Sequence, residues 1–165
     1  IKINQYHLQV INYLIINKKI LFLNFKMNTK KVWEINKTVL PQHSDHAGVM
    51  WHGTYFNWLE EGRINALSKA GINYFDLTKK GFELPLINAS IKYILPLCLG
   101  DNITIESIFN IGKSPKIKIY SKFINESKKI MTIAEVNLVL VDKNKFSIIR
   151  TRPDFISKAF LKLNG

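Results

Sequence analysis

Apolar and polar residues alternate through most of the second half of the chain, and this pattern limits the possible folds more than any other feature. It recurs in residues 87–95, 103–109 and 117–123, while residues 130–142 are apolar on both sides. Because successive side chains of a strand point to opposite faces, the first three runs predict half-buried β-strands. The fourth predicts a strand in the interior of the sheet. Turn residues between the runs predict antiparallel hairpins between consecutive strands.

The first half of the chain adds one strand and one helix. Residues 32–40 have strand length and end at Pro41, which cannot continue a paired strand. Apolar or small residues then recur at helical spacing, and Gly71 stands where a C-terminal cap belongs. The small residues predict a helix that lies closely against a sheet. Its predicted buried stripe comprises Tyr55, Leu59, Gly62, Ala66 and Ala70, widened by Trp58 and Leu67.

The order of one strand, one helix and four strands predicts an α+β fold with an antiparallel sheet of about five strands. A single helix cannot cover such a sheet completely, so an exposed face or edge is expected to pair with another subunit. We therefore expect a homodimer or a homotetramer.

The composition bounds the class of partner. The 165 residues carry 24 Lys and Arg against 12 Asp and Glu, yet only three are Arg. Lys, Ile and Asn number 21, 24 and 16, and these are the residues that A/T-rich codons encode. Because Arg is preferred for reading bases and phosphates and no Arg cluster is present, we expect no nucleic-acid partner. The one cysteine, Cys98, is predicted to be a small core residue.

The first 26 residues differ from the rest. They contain four Lys and no acidic residue, and Lys18 and Lys19 interrupt their two apolar patches, residues 8–16 and 20–23. Neither patch approaches the ~20 apolar residues of a membrane span. We predict that Met27 is the natural start, that residues 1–26 are a non-native or disordered upstream extension, and that residues 27–165 form a single domain. The alternative is a short basic amphipathic anchor on a membrane surface.

The loop that enters the helix carries the residues with the clearest chemistry. Asp45 lies in the polar loop from Gln42 to Gly53, which leads into the predicted helix. Free backbone N–H groups and the positive end of the helix dipole can polarise a carbonyl oxygen, while the carboxylate of Asp45 is available as nucleophile or base. These are the parts that acyl transfer requires. The alternative for Asp45 is a turn or capping residue.

The run Asp45-x-x-Gly48-Val49-x-Trp51-His52-x-x-Tyr55-x-x-x-x-Glu60-x-x-Arg63 resembles the signature of the 4-hydroxybenzoyl-CoA thioesterase family, the acyl-CoA hydrolases with a hot-dog fold. The resemblance covers roughly residues 33–155. It implies that a sheet wraps around one long central helix and that the protein hydrolyses an acyl-CoA or aroyl-CoA to free acid and CoA.

The same resemblance implies roles for individual residues. Asp45 is expected to be the catalytic carboxylate, and the helix N-terminus near His52 and Gly53 to supply the amide that polarises the thioester. His52 is expected to help position substrate or water. Glu60 is the back-up carboxylate, although at three residues before Arg63 it can equally form an ion pair. No metal is expected, since the spacing of His43 and His46 alone is weak, and no cofactor is expected, because CoA is part of the substrate.

Basic residues are candidates for binding the phosphates of CoA. In the resembled family, the turn that holds Gly112, Lys113 and Ser114 contacts the nucleotide end of CoA. Lys116 and Lys118 follow on the next strand, where alternating lysines are also typical of a solvated face. Arg150 and Arg152 follow the last strand and are the other candidates.

The acyl group is harder to predict. Tyr55, Phe56, Trp58 and Phe82 are candidates for an aromatic acyl pocket, although aromatic residues at helical spacing also form cores. Residues 82–91 resemble the 1,4-dihydroxy-2-naphthoyl-CoA hydrolases of phylloquinone synthesis. A broad acyl-CoA thioesterase and this specific hydrolase are therefore both open. The alternative from another class is a hot-dog protein that binds acyl-CoA or acyl carrier protein without turnover. In either case we expect a cytoplasmic protein.

Overall fold

The computed structural model describes residues 14–18, 20 and 29–165. The prediction that Met27 is the natural start lies outside these described residues, and so does the predicted upstream extension apart from residues 14–18 and 20. No helix within them is long and apolar enough to cross a membrane. The elements, in chain order, are β1 Trp33–Thr38, a 3-10 turn Pro41–His43, α1 His52–Ala70, α2 Tyr74–Lys79, β2 Phe82–Glu83, β3 Leu86–Tyr93, β4 Asn102–Ile111, β5 Lys116–Asn125, β6 Ile130–Val139, β7 Val141–Asp142, β8 Ser147–Ile148 and α3 Asp154–Asn164.

The main sheet has five strands in the order β1-β4-β5-β6-β3, and every pair is antiparallel. The predicted hairpins β4–β5 and β5–β6 are confirmed. The predicted hairpin between β3 and β4 is wrong, because β3 pairs with β6 at the opposite edge. Residues between β3 and β4 instead bond to the loop before α1, where Met50 N–H donates to the Leu97 carbonyl at 2.7 Å. This contact carries the chain across the end of the sheet.

The strand at residues 130–142 is interior, as predicted, although β5 is the middle strand. It ends at Val139, and residues 141–142 form the separate strand β7. There they join a small three-stranded sheet in the order β2-β7-β8. The change of sheet explains why this run is apolar on both sides for longer than one strand.

Helix α1 lies across the main sheet with the predicted stripe buried. The helix ends at its C-terminal cap, Gly71, whose φ of +103° is in the left-handed region that favours glycine. Ile72 N–H donates to the Leu67 carbonyl at 2.9 Å across this cap. Gly62 faces β1, and a Cβ at that position would lie 3.4 Å from Ile35 Cδ1. The small residues therefore do bring the helix close to the sheet.

The edge strand β3 is only partly covered. Four large apolar residues in β3 or just after it are exposed: Leu86, Ile87, Tyr93 and Leu95. The alternation predicted a strand buried along one whole face, and within a single chain that face is incomplete. Cys98 was predicted to be a core residue, and this is wrong. Cys98 is exposed in a surface turn, and its neighbour Leu97 is buried instead.

The opposite face of the sheet carries a second, smaller apolar cluster. Ile108 of β4 and Ile133 of β6 are its buried members. Ile20, in the segment predicted to precede the domain, packs partly buried against them. This contact covers sheet surface on the side away from α1.

Candidate active site at the start of helix α1

Asp45 sits in a tight loop that several backbone contacts hold in place. Its Oδ1 accepts hydrogen bonds from Ala47 N–H at 2.8 Å and from Val49 N–H at 3.4 Å. Its own N–H donates to the Val49 carbonyl at 2.8 Å, and Gly48 closes the turn with a φ of +77°. Both hydrogen bonds of the carboxylate fall on one oxygen. The half-buried side chain is thus fixed in orientation, while its second oxygen accepts no hydrogen bond from the described part of the chain.

The loop is also attached to the first turn of α1. The His43 carbonyl accepts from Trp51 N–H at 2.8 Å and from the Thr54 hydroxyl at 3.3 Å. His43 Nδ1 in turn accepts from Leu40 N–H at 3.1 Å, and its ring packs edge-on against Trp58. His43 therefore organises the loop, whereas His46 is exposed.

The N-terminus of α1 is open at its cap. Trp51 is the capping residue and makes no side-chain capping bond, so among the described residues the backbone N–H groups of His52 and Gly53 remain for another acceptor. His52 is exposed, and its ring lies 5.0 Å from the Trp51 ring. The Trp51 ring crosses directly over Gly53, where an added Cβ would lie 2.2 Å from Trp51 Cζ3. Only glycine leaves room for this ring position.

Glu60 and Arg63 form the predicted ion pair. Arg63 Nε donates to Glu60 Oε2 at 2.9 Å, Nη2 donates to Oε1, and Nη1 donates to the Leu84 carbonyl at 3.3 Å. The Arg63 guanidinium is buried and lies 5.0 Å from the centre of the Tyr74 ring. Burial alone would lower the pKa of Arg63, but the charge and hydrogen bonds of Glu60 outweigh it and raise the pKa. Arg63 therefore keeps its charge and anchors α1 to the segment before β3.

A pocket of about 230 Å³ opens beside this pair, between α1 and the β3 edge. Its walls are mostly apolar, with a few polar groups from the helix and the sheet. It is lined by Phe56, Asn57, Leu59, Glu60, Arg63, Leu86, Ala89, Ile119, Ser121 and Val136. Of the four aromatic residues considered for an acyl pocket, Phe56 lies here.

The other three aromatic candidates do not line this pocket. Tyr55 and Trp58 are buried and pack against Phe123, and burial raises the pKa of the Tyr55 hydroxyl. Phe82 is half-buried and contacts Phe155 at a ring distance of 5.8 Å. Tyr55 and Trp58 thus match the alternative of core residues.

The candidate phosphate-binding residues gather at the far end of the sheet. The Ser114 carbonyl accepts a hydrogen bond from Arg152, and the Ser114 hydroxyl accepts from Lys116 N–H at 3.2 Å. Lys113 and Arg150 are exposed nearby in sequence. Burial lowers the pKa of Arg152, whose guanidinium lies 5.2 Å from the Phe160 ring centre.

Within one chain these residues are remote from Asp45. The Asp45 loop adjoins the residues before β4, since Leu99 N–H donates to the Gly48 carbonyl at 3.4 Å, whereas the turn at Lys113 follows the end of β4. A ten-residue strand separates them by ~30 Å. A single chain does not bring the two halves of the predicted site together.

Two features of the site escaped sequence reasoning. Trp51 was noted only as part of a motif, and nothing in the pattern indicated that its ring would lie over Gly53. The contact of Arg63 with the Leu84 carbonyl joins residues that are 21 positions apart. A glycine two positions after an aromatic capping residue is the one local signal for the first.

Comparisons with known proteins identify the family. Residues 39–160 match the thioesterase-like superfamily. The chain belongs to this superfamily. The Synechocystis protein sll0410, which carries an esterase assignment, is 31% identical to this chain over 136 residues, and these cover 82% of each chain. A 1,4-dihydroxy-2-naphthoyl-CoA hydrolase of Prochlorococcus marinus is 27% identical over 114 residues, 64% of this chain and 68% of that one.

The fold is also that of solved thioesterases. The structure of Slr0204, a 1,4-dihydroxy-2-naphthoyl-CoA thioesterase from Synechocystis, superimposes with a TM-score of 0.74 at 19% identity, over 81% of this chain and 98% of that one. The predicted family, its hot-dog fold and the assignment as a thioester hydrolase are thereby confirmed.

Proposed function

We propose that this protein hydrolyses acyl-CoA thioesters with Asp45 as the catalytic carboxylate. The observation that carries the proposal is the Asp45 loop itself. It fixes one carboxylate oxygen with two N–H groups and is bonded through His43 to the first turn of α1. The loop that carries the carboxylate is thus attached to the open N-terminus of the helix.

This arrangement suits attack on a thioester. The Asp45 carboxylate either attacks the carbonyl carbon, which forms an anhydride and releases CoA thiolate, or takes a proton from the attacking water. Backbone N–H groups at His52 and Gly53 then stabilise the negative charge that develops on the carbonyl oxygen. His52 is exposed beside them, where it can position substrate or water.

The pocket beside Glu60 is the proposed place for the acyl group. Its volume of about 230 Å³ accommodates an aromatic bicycle or a short acyl chain, and its walls combine apolar residues with polar groups. The naphthoyl-CoA hydrolase of Prochlorococcus marinus supports an aromatic acyl group of this size. We therefore propose aroyl-CoA thioesters, 1,4-dihydroxy-2-naphthoyl-CoA among them, as the preferred substrates.

A homodimer through the β3 edge would complete the site. The exposed apolar residues of this edge favour pairing with a second copy, as does its backbone, which among the described residues pairs with β6 alone in the main sheet. A twofold axis makes β3 antiparallel to its copy, which brings the far end of one subunit to the Asp45 end of the other. Lys113, Ser114, Lys116, Arg150 and Arg152 of one subunit would then face a CoA whose thioester is at Asp45 of its partner.

Thiol release from a panel of thioesters tests the function. We expect purified protein to release free CoA, detected with DTNB, fastest from aroyl-CoA and slowly from long-chain acyl-CoA. Thioesters of acyl carrier protein in the same panel show whether the protein prefers CoA or acyl carrier protein as the carrier of the acyl group. Binding of acyl-CoA by calorimetry without thiol release from any substrate would instead favour a non-catalytic binding protein.

A further inference from the structure

The positive charge of the described domain is concentrated at one end. The segments 74–83, 112–116 and 141–164 contain ten Lys or Arg and four Asp or Glu. The rest of residues 29–165 contains ten basic and eight acidic residues. The three segments lie together, since β2 pairs with β7, Arg152 bonds to the Ser114 carbonyl, and Phe82 contacts Phe155. Thus 39 residues hold most of the excess charge.

Exposed aromatic rings occupy the same end. Phe75 of α2 is 66% exposed, Phe155 of α3 is 36% exposed, and Phe146 in the β7–β8 turn is 91% exposed. Lys79 Nζ lies 4.4 Å from the Phe75 ring centre, and Lys80 Nζ lies 4.5 Å from that of Phe155. We call this surface the aromatic–lysine patch; it consists of Phe75, Lys79, Lys80, Lys143, Lys145, Phe146 and Phe155.

Phe146 is the residue that the fold explains least. It has a φ of +48°, a conformation that favours Gly or Asn. The turn is already closed without its side chain, because Asp142 Oδ1 accepts from Asn144 N–H at 2.9 Å and Lys145 N–H at 3.0 Å. A large apolar ring thus projects from a strained backbone position and gains almost no burial among the residues that the structure describes.

We propose that the aromatic–lysine patch docks the protein onto an anionic lipid surface. Lysines attract the negatively charged headgroups, and aromatic rings insert at the level of the headgroups. The rings project from two helices and a turn, and Phe146 stands at the tip of that turn. A planar interface accepts rings at any position, whereas a protein partner would need a fitted pocket for a ring at the tip of a turn. These features favour lipid over an acidic protein.

The location of the patch relates it to the proposed reaction without depending on it. Its hairpin adjoins the turn of Ser114, since Leu140 N–H donates to the Pro115 carbonyl at 3.5 Å. Docking through this end would leave the Asp45 end of the same chain facing away from the lipid. In the proposed dimer, Asp45 of the partner subunit would lie at this docked end, so an apolar acid released there can pass directly into the lipid.

Vesicle co-sedimentation of the full chain tests the proposal. We expect binding to vesicles of phosphatidylcholine with one third phosphatidylglycerol, little binding to pure phosphatidylcholine, and weakening by salt. The double variant Lys143→Glu with Lys145→Glu should bind the anionic vesicles at least about tenfold more weakly. The matched control is Lys128→Glu with Lys129→Glu, which has the same net charge at the opposite end and should change binding less than about twofold.

The aromatic contribution is measured separately. Phe146→Ser should weaken vesicle binding about fivefold while the melting temperature changes little, because the ring is 91% exposed and serine keeps the same backbone strain. In Phe146→Trp, brominated lipids should quench the added tryptophan. Equal losses in the two lysine double variants would show attraction by net charge alone and would overturn the proposal.

Absence of vesicle binding together with capture of acyl carrier protein through Lys143 and Lys145 would also overturn it, in favour of a protein partner. Thiol release from soluble acyl-CoA without vesicles reports on the proposed hydrolase independently. Failure of one proposal is therefore distinguishable from failure of the other.

Discussion

At the scale of single residues, the assignment of Asp45 is the one with the largest expected effect. Asp45→Asn keeps the shape of the side chain and can still accept from Ala47 and Val49, but it removes the negative charge and the basicity. We expect kcat to fall about 10²-fold or more while acyl-CoA binding changes little. Steady-state thiol release and calorimetric binding to the same variant measure the two quantities.

Glu60→Gln is the matched comparison, since it makes the same chemical change on the helix. It weakens the ion pair with Arg63 and is expected to lower the melting temperature modestly while leaving most of the turnover. Near-native turnover by Asp45→Asn with loss of turnover by Glu60→Gln would move the catalytic carboxylate onto α1.

The position of the Trp51 ring is expected to depend on Gly53. An alanine there would place Cβ 2.2 Å from the ring, so the ring must move by an ångström or more. Because the ring is about half exposed, we expect Gly53→Ala to change the melting temperature little and to lower kcat/KM several-fold. If the ring is the cause, Gly53→Ala has no further effect in a Trp51→Ala background. An equal loss in both backgrounds would assign the effect to the helix backbone instead.

Residues whose environment is local in sequence were the easier ones to predict. The Glu60–Arg63 pair follows from a spacing of three on a helix, and the turn at Asp45 follows from the residues within four positions of it. Cys98 was misplaced because its exposure depends on how the loop before α1 pairs with residues 97–98. That contact joins segments almost 50 positions apart, and neither segment shows it alone.

At the scale of elements, the contact of α1 with β1 depends on a missing side chain. Gly62→Leu would overpack the contact with Ile35 and is expected to destabilise the fold by about 1–3 kcal/mol, measured by denaturant unfolding. Gly62→Ala is the control. Its Cβ would lie 3.4 Å from Ile35 Cδ1, and alanine favours a helix interior by about 0.5–1 kcal/mol, so stability should stay level or rise. An unchanged stability of Gly62→Leu would contradict this helix orientation.

Helix and hairpins could be predicted because each is encoded by its own periodicity and its own turn residues. The position of β3 could not, because its sequence reads like any half-buried strand. The pairing of β3 with β6 is decided by where residues 94–101 cross the end of the sheet. That path depends on Met50 and Val49 bonding to Leu97 and Cys98, a contact between two loops that have no periodicity.

At the scale of the whole molecule, the exposed β3 edge is expected to hold two copies together. Ile87→Glu places a charge within that edge and should shift the protein toward monomer in sedimentation velocity. Ile148→Glu is the control, because Ile148 is similarly exposed but lies on β8, away from the edge. If Ile87→Glu stays fully dimeric while Ile148→Glu dissociates, the interface lies at the smaller sheet.

A site shared between two subunits makes a further prediction that a site within one chain does not. One inactive variant is Asp45→Asn, and the other is Lys113→Glu with Lys116→Glu, which opposes CoA phosphates with negative charge. If Asp45 of one subunit works with the basic end of its partner, a mixed dimer of the two variants contains one site with both native halves. In an equal mixture about half of the dimers are mixed, so activity should recover to about a quarter of the native value after subunits exchange. If each site lies within one chain, every chain in the mixture carries a defect, and thiol release would stay at the level of the separate variants.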